Sequence, residues 1–178
     1  MGQMPRFICG GLAMAWLAGC GYPSFSATLS GEQVITGSPD GGNLTTFAPI
    51  TMLSGFDLDQ NADFMANHAT RAMMVSAKAA SAELDLVSPS TEDFSFLDDI
   101  SLVATAADND VVFADRSGIA GLGLKPPTPM LTLQTHDLEL SSQLASPAAS
   151  IVMRGHGRYP SSDTRVHVTV VLNVQLNK

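Results

Sequence analysis

The sequence is poor in cysteine, tryptophan and basic side chains, and each shortage excludes a class of protein. Two cysteines, Cys9 and Cys20, are too few for a disulfide framework. Trp16 is the only tryptophan, which disfavours carbohydrate binding by indole stacking. Nine Lys and Arg side chains stand against 17 Asp and Glu, a net charge of −8. We therefore expect no nucleic-acid partner, because the phosphate backbone would be repelled.

Recognisable catalytic motifs are also lacking. The chain has no Gly-x-Ser-x-Gly nucleophile elbow, and its glycine-rich stretch at 118–123 does not have the spacing of a dinucleotide loop. The acidic residues between 92 and 115 are expected to flank turns and strand ends, where solvent keeps carboxylates ionised. We predict that the protein is not an enzyme and carries no cofactor.

The first twenty residues differ from the rest. Arg6 precedes an apolar run from Phe7 to Leu17, which is too short for a bilayer span of roughly 20 residues but fits the core of a secretory signal. The run ends in Leu17-Ala18-Gly19-Cys20, which resembles the lipobox of bacterial lipoproteins. The alternatives are an ordinary secretory signal with a chance cysteine at the cut, or a transmembrane anchor.

The resemblance implies a lipid-anchored protein of the cell envelope. Cys20 would receive a diacylglycerol on its sulfur, the leader would be cut before it, and the new amino terminus would usually be acylated. Residues 1–19 are then a signal peptide, residues 20–24 an anchor and tether, and residues 25–178 one domain. Gly21, rather than Asp, after the cysteine favours the outer membrane. Two or more acyl chains hold a protein stably at a membrane.

Alternating apolar residues with regular turn signals predict an antiparallel β-sandwich, immunoglobulin-like or similar, with one short helix. The clearest strand runs from Arg165 to Leu176, where valines and leucines share one face. Shorter strands are predicted at 25–29, 80–86, 100–105, 111–113 and 130–133. Residues 100–105 and 111–113 are expected to form a hairpin. Residues 151–153 are expected to pair with the last strand.

The helix is predicted from about Gln60 to about Arg71. Its core-facing stripe would comprise Ala62, Met65, Ala66, Ala69 and Met73. Asp59 is expected to cap its start.

Two polar clusters are candidate binding sites. Alternating oxygen ligands resemble the opening of a calcium loop, at Asp57, Asp59, Asn61 and Asp63. Ala62 stands where such a loop needs Gly, and His68 where it needs Glu, so an acidic helix start is the alternative.

The second cluster depends on pairing of 151–158 with the last strand, which would gather an anion or metal patch from Arg154, His156, Arg158, Arg165 and His167. A solvated strand face is the alternative.

Three short segments, 93–97, 118–120 and 154–160, are similar to uncharacterised β-rich lipoproteins of Gram-negative bacteria, a resemblance that implies no activity. We predict a membrane-anchored, non-catalytic binding or structural module, with another envelope protein or anionic lipid as a possible partner. One alternative is a metal-dependent hydrolase that uses some of His136, His156, His167 and Asp163. The other is a lipid-binding carrier with an apolar cavity between its sheets.

Overall fold

Two antiparallel sheets form the protein. The computed structural model describes residues 23–106, 109–127 and 130–177. The strands in these residues are β1 (Ser24–Ile35), β2 (Asn43–Leu44), β3 (Met74–Ser88), β4 (Leu97–Ala106), β5 (Asn109–Ser117), β6 (Met130–Thr132), β7 (Gln134–Thr135), β8 (Ser150–Arg158) and β9 (Thr164–Leu176). Sheet A has the order β1-β9-β3-β6, and sheet B has the order β2-β8-β4-β5-β7. The prediction of a mainly β, antiparallel sandwich is confirmed.

Strand β9 is the centre of sheet A, paired with β1 on one side and β3 on the other. Its inward face, from Val166 to Leu176 at every second residue, is buried as the alternation predicts. Burial of each Val or Leu side chain contributes roughly 1.5–3 kcal/mol. Most of the buried apolar residues of both sheets belong to one hydrophobic cluster that spans 27–176.

Strand β3 shows a difference from the predicted face. Ala82 and Leu84 are buried as expected, but Ala80 is exposed. The pairing of β3 with β9 shifts register between Ala79 and Ser81, where an extra residue forms a bulge. A bulge changes which residues face inward. The alternation predicted from sequence therefore fails before the bulge, where Ala77 is buried.

The helix prediction is wrong in its length and its buried face. The α-helix α1 covers only Ala62–Ala66, between the 3₁₀ turns Leu58–Gln60 and Arg71–Met73. Of the predicted stripe only Ala69 is buried, whereas Phe64 is buried in α1 and its ring meets that of Phe25 edge-on at 5.1 Å. Five residues cannot form a long stripe, and the Phe64–Phe25 contact packs the helix against β1. A second short helix, α2, covers Ser141–Leu144.

In sheet B the predicted hairpin is confirmed, because β4 and β5 pair antiparallel from Ala106 and Asn109 outward, with residues 107–108 outside the described part.

The predicted pairing of 151–153 with the last strand is wrong. Strand β8 pairs with β4 and β2 in sheet B, while β9 lies in sheet A. Gly155 makes the close β4 contact possible, since a Cβ there would lie 2.3 Å from the Asp99 carbonyl oxygen.

None of the helices in the described ranges has the length and apolar character needed to cross a membrane.

Candidate functional site

The predicted lipidation residue Cys20 lies outside the described residues, as do the lipobox and leader. The described part of the chain begins shortly after Cys20. Strand β1 starts at Ser24, opposite Gln175 of β9. The Leu176 backbone N–H donates to the Pro23 carbonyl at 2.9 Å. The chain is thus held in the sheet from the third residue after Cys20.

The predicted basic patch does not form. Arg154, His156 and Arg158 lie on the exposed face of β8 in sheet B. Arg165 and His167 lie on the outward face of β9 in sheet A. Because the outward faces of two packed sheets point in opposite directions, the five side chains are divided between two surfaces.

Acidic neighbours also offset the charge of this predicted patch. The Arg154 guanidinium lies 2.6 Å from the Asp110 carboxylate, and His156 Nδ1 lies 3.2 Å from Asp99. On the other sheet, Arg165 lies 3.9 Å from Glu32. An anion approaching either surface would meet Arg154, His156 and Arg165 beside these carboxylates, which weakens the anionic-lipid hypothesis for this patch.

The histidines of the hydrolase alternative are separated as well. His136 Nε2 lies 3.4 Å from Asp115, on sheet B, and His156 pairs with Asp99. The Asp163 carboxylate accepts a hydrogen bond from the Gly37 backbone N–H at 2.9 Å and so ties a loop. Across 23–106, 109–127 and 130–177, no three His, Cys, Asp or Glu side chains are placed to hold a metal ion. The geometry therefore gives the hydrolase alternative no support.

The calcium-like string is engaged by the protein itself. Asp59 accepts from the Arg71 backbone N–H at 2.6 Å, and both Asp57 and Asp59 lie within 3.5 Å of the Arg71 guanidinium. Asn61 caps α1 by accepting from the Asp63 and Phe64 backbone N–H groups, so the predicted cap at Asp59 is wrong. The alternative of an acidic helix start describes these residues better than a cation loop does.

Two residues of that string also cover the edge of sheet A. The Asp63 carboxylate accepts from the Thr28 backbone N–H at 2.7 Å, and the Asn61 amide donates to the Thr28 carbonyl at 2.9 Å. A second cover lies further along β1, where the Thr51 N–H donates to the Glu32 carbonyl at 2.9 Å. Strand β1 is a long edge strand, and such edges promote association with other chains unless they are blocked.

The interior between the sheets is filled by side chains, and three phenylalanines, Phe64, Phe94 and Phe113, are fully buried in it. The grooves found along the described residues open at the surface. A lipid carrier needs an apolar cavity to hold acyl chains, so the packing disfavours that alternative.

The largest of these grooves, about 670 Å³, crosses the outward face of sheet A near Ser26 and Ser76. Its charged groups have partners. Lys78 Nζ lies 2.7 Å from Asp137, and this hydrogen bond and charge raise the pKa of Lys78. The Ser76 hydroxyl donates to Glu139 at 2.7 Å. Burial alone would raise the pKa of Glu139, but hydrogen bonds from Ala77, Ser76 and Ser141 together lower it.

A second groove, of about 450 Å³, lies where the edge strands β1 and β2 of the two sheets face each other. We call it the Gln33 cleft, defined by Gln33, Ile35, Leu44, Phe47, Ala48 and Tyr159. Gln33 faces inward from β1 and is only 3% exposed. Within the described ranges neither its amide nitrogen nor its amide oxygen has a hydrogen-bond partner.

Gln33 is not among the predicted site residues, because the first strand is predicted to end at Leu29. Continued alternation through Gly31, Gln33 and Ile35 would have placed a glutamine on an apolar face, and that mismatch was the available signal.

Fold and site together define an antiparallel β-sandwich with an amide-lined cleft and no assembled catalytic group in the described residues. No family model matches the chain, and no curated protein matches it. Among solved structures it is similar to a chain of the decameric BFDV capsid protein, with 8% identity and a TM-score of 0.40. That match covers 88% of this chain and 99% of the capsid chain.

Proposed function

We propose that this protein is a lipoprotein of the bacterial cell envelope, anchored in the outer membrane through acylated Cys20, and that its sandwich is a non-catalytic binding or structural module. The observation that supports the proposal most is the start of strand β1 at Ser24. Four residues of chain reach at most about 14 Å. Acyl chains on Cys20 would therefore hold the start of β1 close to the lipid headgroups.

The arrangement of the titratable side chains supports the non-catalytic part of the proposal. His136 and His156 each pair with a single carboxylate, His167 lies on the outward face of β9, and His68 lies exposed after α1. Acid–base catalysis needs groups within hydrogen-bond reach of one substrate position. Protein partners of the envelope fit this surface better than anionic lipid, because Arg154 and Arg165 lie beside carboxylates and the chain is acidic overall.

Metabolic labelling in a Gram-negative host tests the anchor. The full chain is expressed with an alkyne-bearing palmitate analogue, and membrane fractions are examined by gel and by mass spectrometry. We expect label on a product that begins at Cys20. Cys20→Ala should abolish the label and leave the leader attached, whereas Cys9→Ala, the matched control, should retain it. Unlabelled protein cut at another position, or label that persists in Cys20→Ala, would contradict the proposal.

A further inference from the structure

The amide of Gln33 is buried without a hydrogen-bond partner among the described residues. The side chain is 3% exposed, and both of its polar atoms are shielded from solvent and unpartnered within the described ranges. A buried polar group that has lost its water and gained no partner destabilises the fold. A core position of this kind ordinarily holds Val, Ile or Leu, as its inward neighbours Leu29 and Ile35 do. A polar group kept at such a cost needs an explanation in function or bound solvent.

The walls of the Gln33 cleft limit what can pair with this amide. Ile35 and Leu44 are buried apolar side chains, and the Phe47 and Tyr159 side chains pack partly buried against the core. No Asp, Glu, Lys, Arg or His lines the described cleft. A charged ligand would lose hydration there without gaining a counter-ion, which is costly. The site therefore favours a neutral molecule with an apolar part.

The chemistry of an amide narrows the choice further. Gln33 presents a donor N–H and an acceptor oxygen side by side. A second amide placed opposite satisfies both at once, because its N–H faces the Gln33 oxygen and its carbonyl faces the Gln33 nitrogen. An alcohol or ether satisfies fewer of these groups in one contact. The cleft volume of about 450 Å³ lies within the range of small-ligand sites.

We propose that the Gln33 cleft binds a neutral peptide segment. Gln33, whose amide is covered in the unliganded protein, would turn its side chain toward the cleft and pair with one backbone amide of the ligand, while a small aliphatic side chain packs against Leu44 and Phe47. This inference rests on the proposed binding function and names the class of ligand for it. Gln33 lies nine residues after Ser24, and at 3.3–3.4 Å per residue the cleft is about 30 Å along β1 from the proposed anchor. A peptide of another envelope protein could reach it without competing with the membrane.

The test is an NMR titration of the full chain in detergent micelles, with uniform ¹⁵N labelling. The probe is N-acetyl-leucyl-alanine amide, and the matched control probe is the same dipeptide with a free carboxylate. The Gln33 side-chain signals are assigned by their absence in Gln33→Met. We expect the neutral probe to shift these signals saturably and the carboxylate probe to bind more weakly. Backbone signals of Leu44 and Tyr159 should move in the same titration.

Variants separate the amide contact from general effects on the fold. Gln33→Met should raise the probe Kd about tenfold or more, because the ligand amide then lacks its partner. Gln143→Met, which replaces the other buried glutamine, should leave the Kd unchanged. If Gln33→Met does not fold, the wild-type shift map decides: saturable shifts centred on the cleft support the proposal. Shifts elsewhere, no saturation, or a long-lived water on Gln33 that the probe does not displace would overturn it.

The titration also distinguishes this inference from the anchoring proposal. Cys20→Ala should bind the probe as wild type does, because the cleft lies at the other end of β1. Loss of acylation with retained probe binding would overturn the anchor alone, and acylation without probe binding would overturn the cleft alone.

Discussion

Replacing Gln33 by methionine should make the unliganded protein more stable. Methionine is close to glutamine in length and fills irregular core space without polar atoms. The substitution removes an amide that is 3% exposed and has neither donor nor acceptor satisfied in the described residues. An unsatisfied buried polar group costs about 1–3 kcal/mol. We therefore expect the free energy of unfolding to rise by about 1–3 kcal/mol in Gln33→Met.

Urea denaturation followed by circular dichroism measures this change, with the midpoint expected to rise and the slope to stay constant. Gln143→Met is the matched control. Gln143 is equally buried, at 3%, but its amide oxygen accepts a hydrogen bond from the Ser142 hydroxyl at 2.9 Å. Its replacement should give no gain, or a loss of about 0.5–1.5 kcal/mol. Equal or lower stability of Gln33→Met would refute the reasoning, since it would mean that water satisfies the amide in solution.

Three further predictions concern the sandwich itself. Asp63→Ala removes the carboxylate that accepts a hydrogen bond from the Thr28 N–H, and it should lower the free energy of unfolding in urea by about 1.5–3 kcal/mol. It should also increase light scattering, because the edge of sheet A loses part of its cover. Asp63→Asn, which keeps an acceptor, should lose less stability. Gly155→Ala should destabilise the protein by about 1–3 kcal/mol or more in thermal denaturation, because the new Cβ would lie 2.3 Å from the Asp99 carbonyl oxygen. In the control Gly121→Ala the new Cβ would have nothing within 4 Å, so the stability should change little. Because folding lowers the pKa of Glu139 from its ordinary value of 4.5, its stabilising contribution is present above that value and is lost as the pH falls through the lowered one. Glu139→Gln should flatten the acid side of the stability profile, and an unchanged profile would contradict the assignment.

Much of the fold was predictable because it rests on local periodicity. Strand β9 needs its valines on one face, and only an extended chain provides that arrangement. The β4–β5 hairpin was equally predictable, since its strands are adjacent along the chain. Lipidation at Cys20 stays a prediction, because that residue lies outside the described part of the chain.

The errors concern long-range pairing. The basic patch required β8 to lie beside β9, which is the simplest connection for consecutive strands, but the chain crosses from sheet B to sheet A between Arg158 and Thr164. The helix stripe failed for a related reason. Its expected face continues beyond Ala66, whereas the structure ends α1 there and uses the Phe64 ring against Phe25.

The sequence by itself determined the strand-forming segments, the inward face of β9 and the overall acidic charge, because these depend on side-chain alternation and composition. Only the tertiary structure decided which strands pair and how the charged residues are divided between two outward faces. It also decided that the Gln33 amide, in the cleft that Leu44 and Tyr159 line, is buried without a partner among the described residues. These features depend on contacts between residues far apart along the chain. Many pairings satisfy the same local pattern, and the packing of the whole core selects among them.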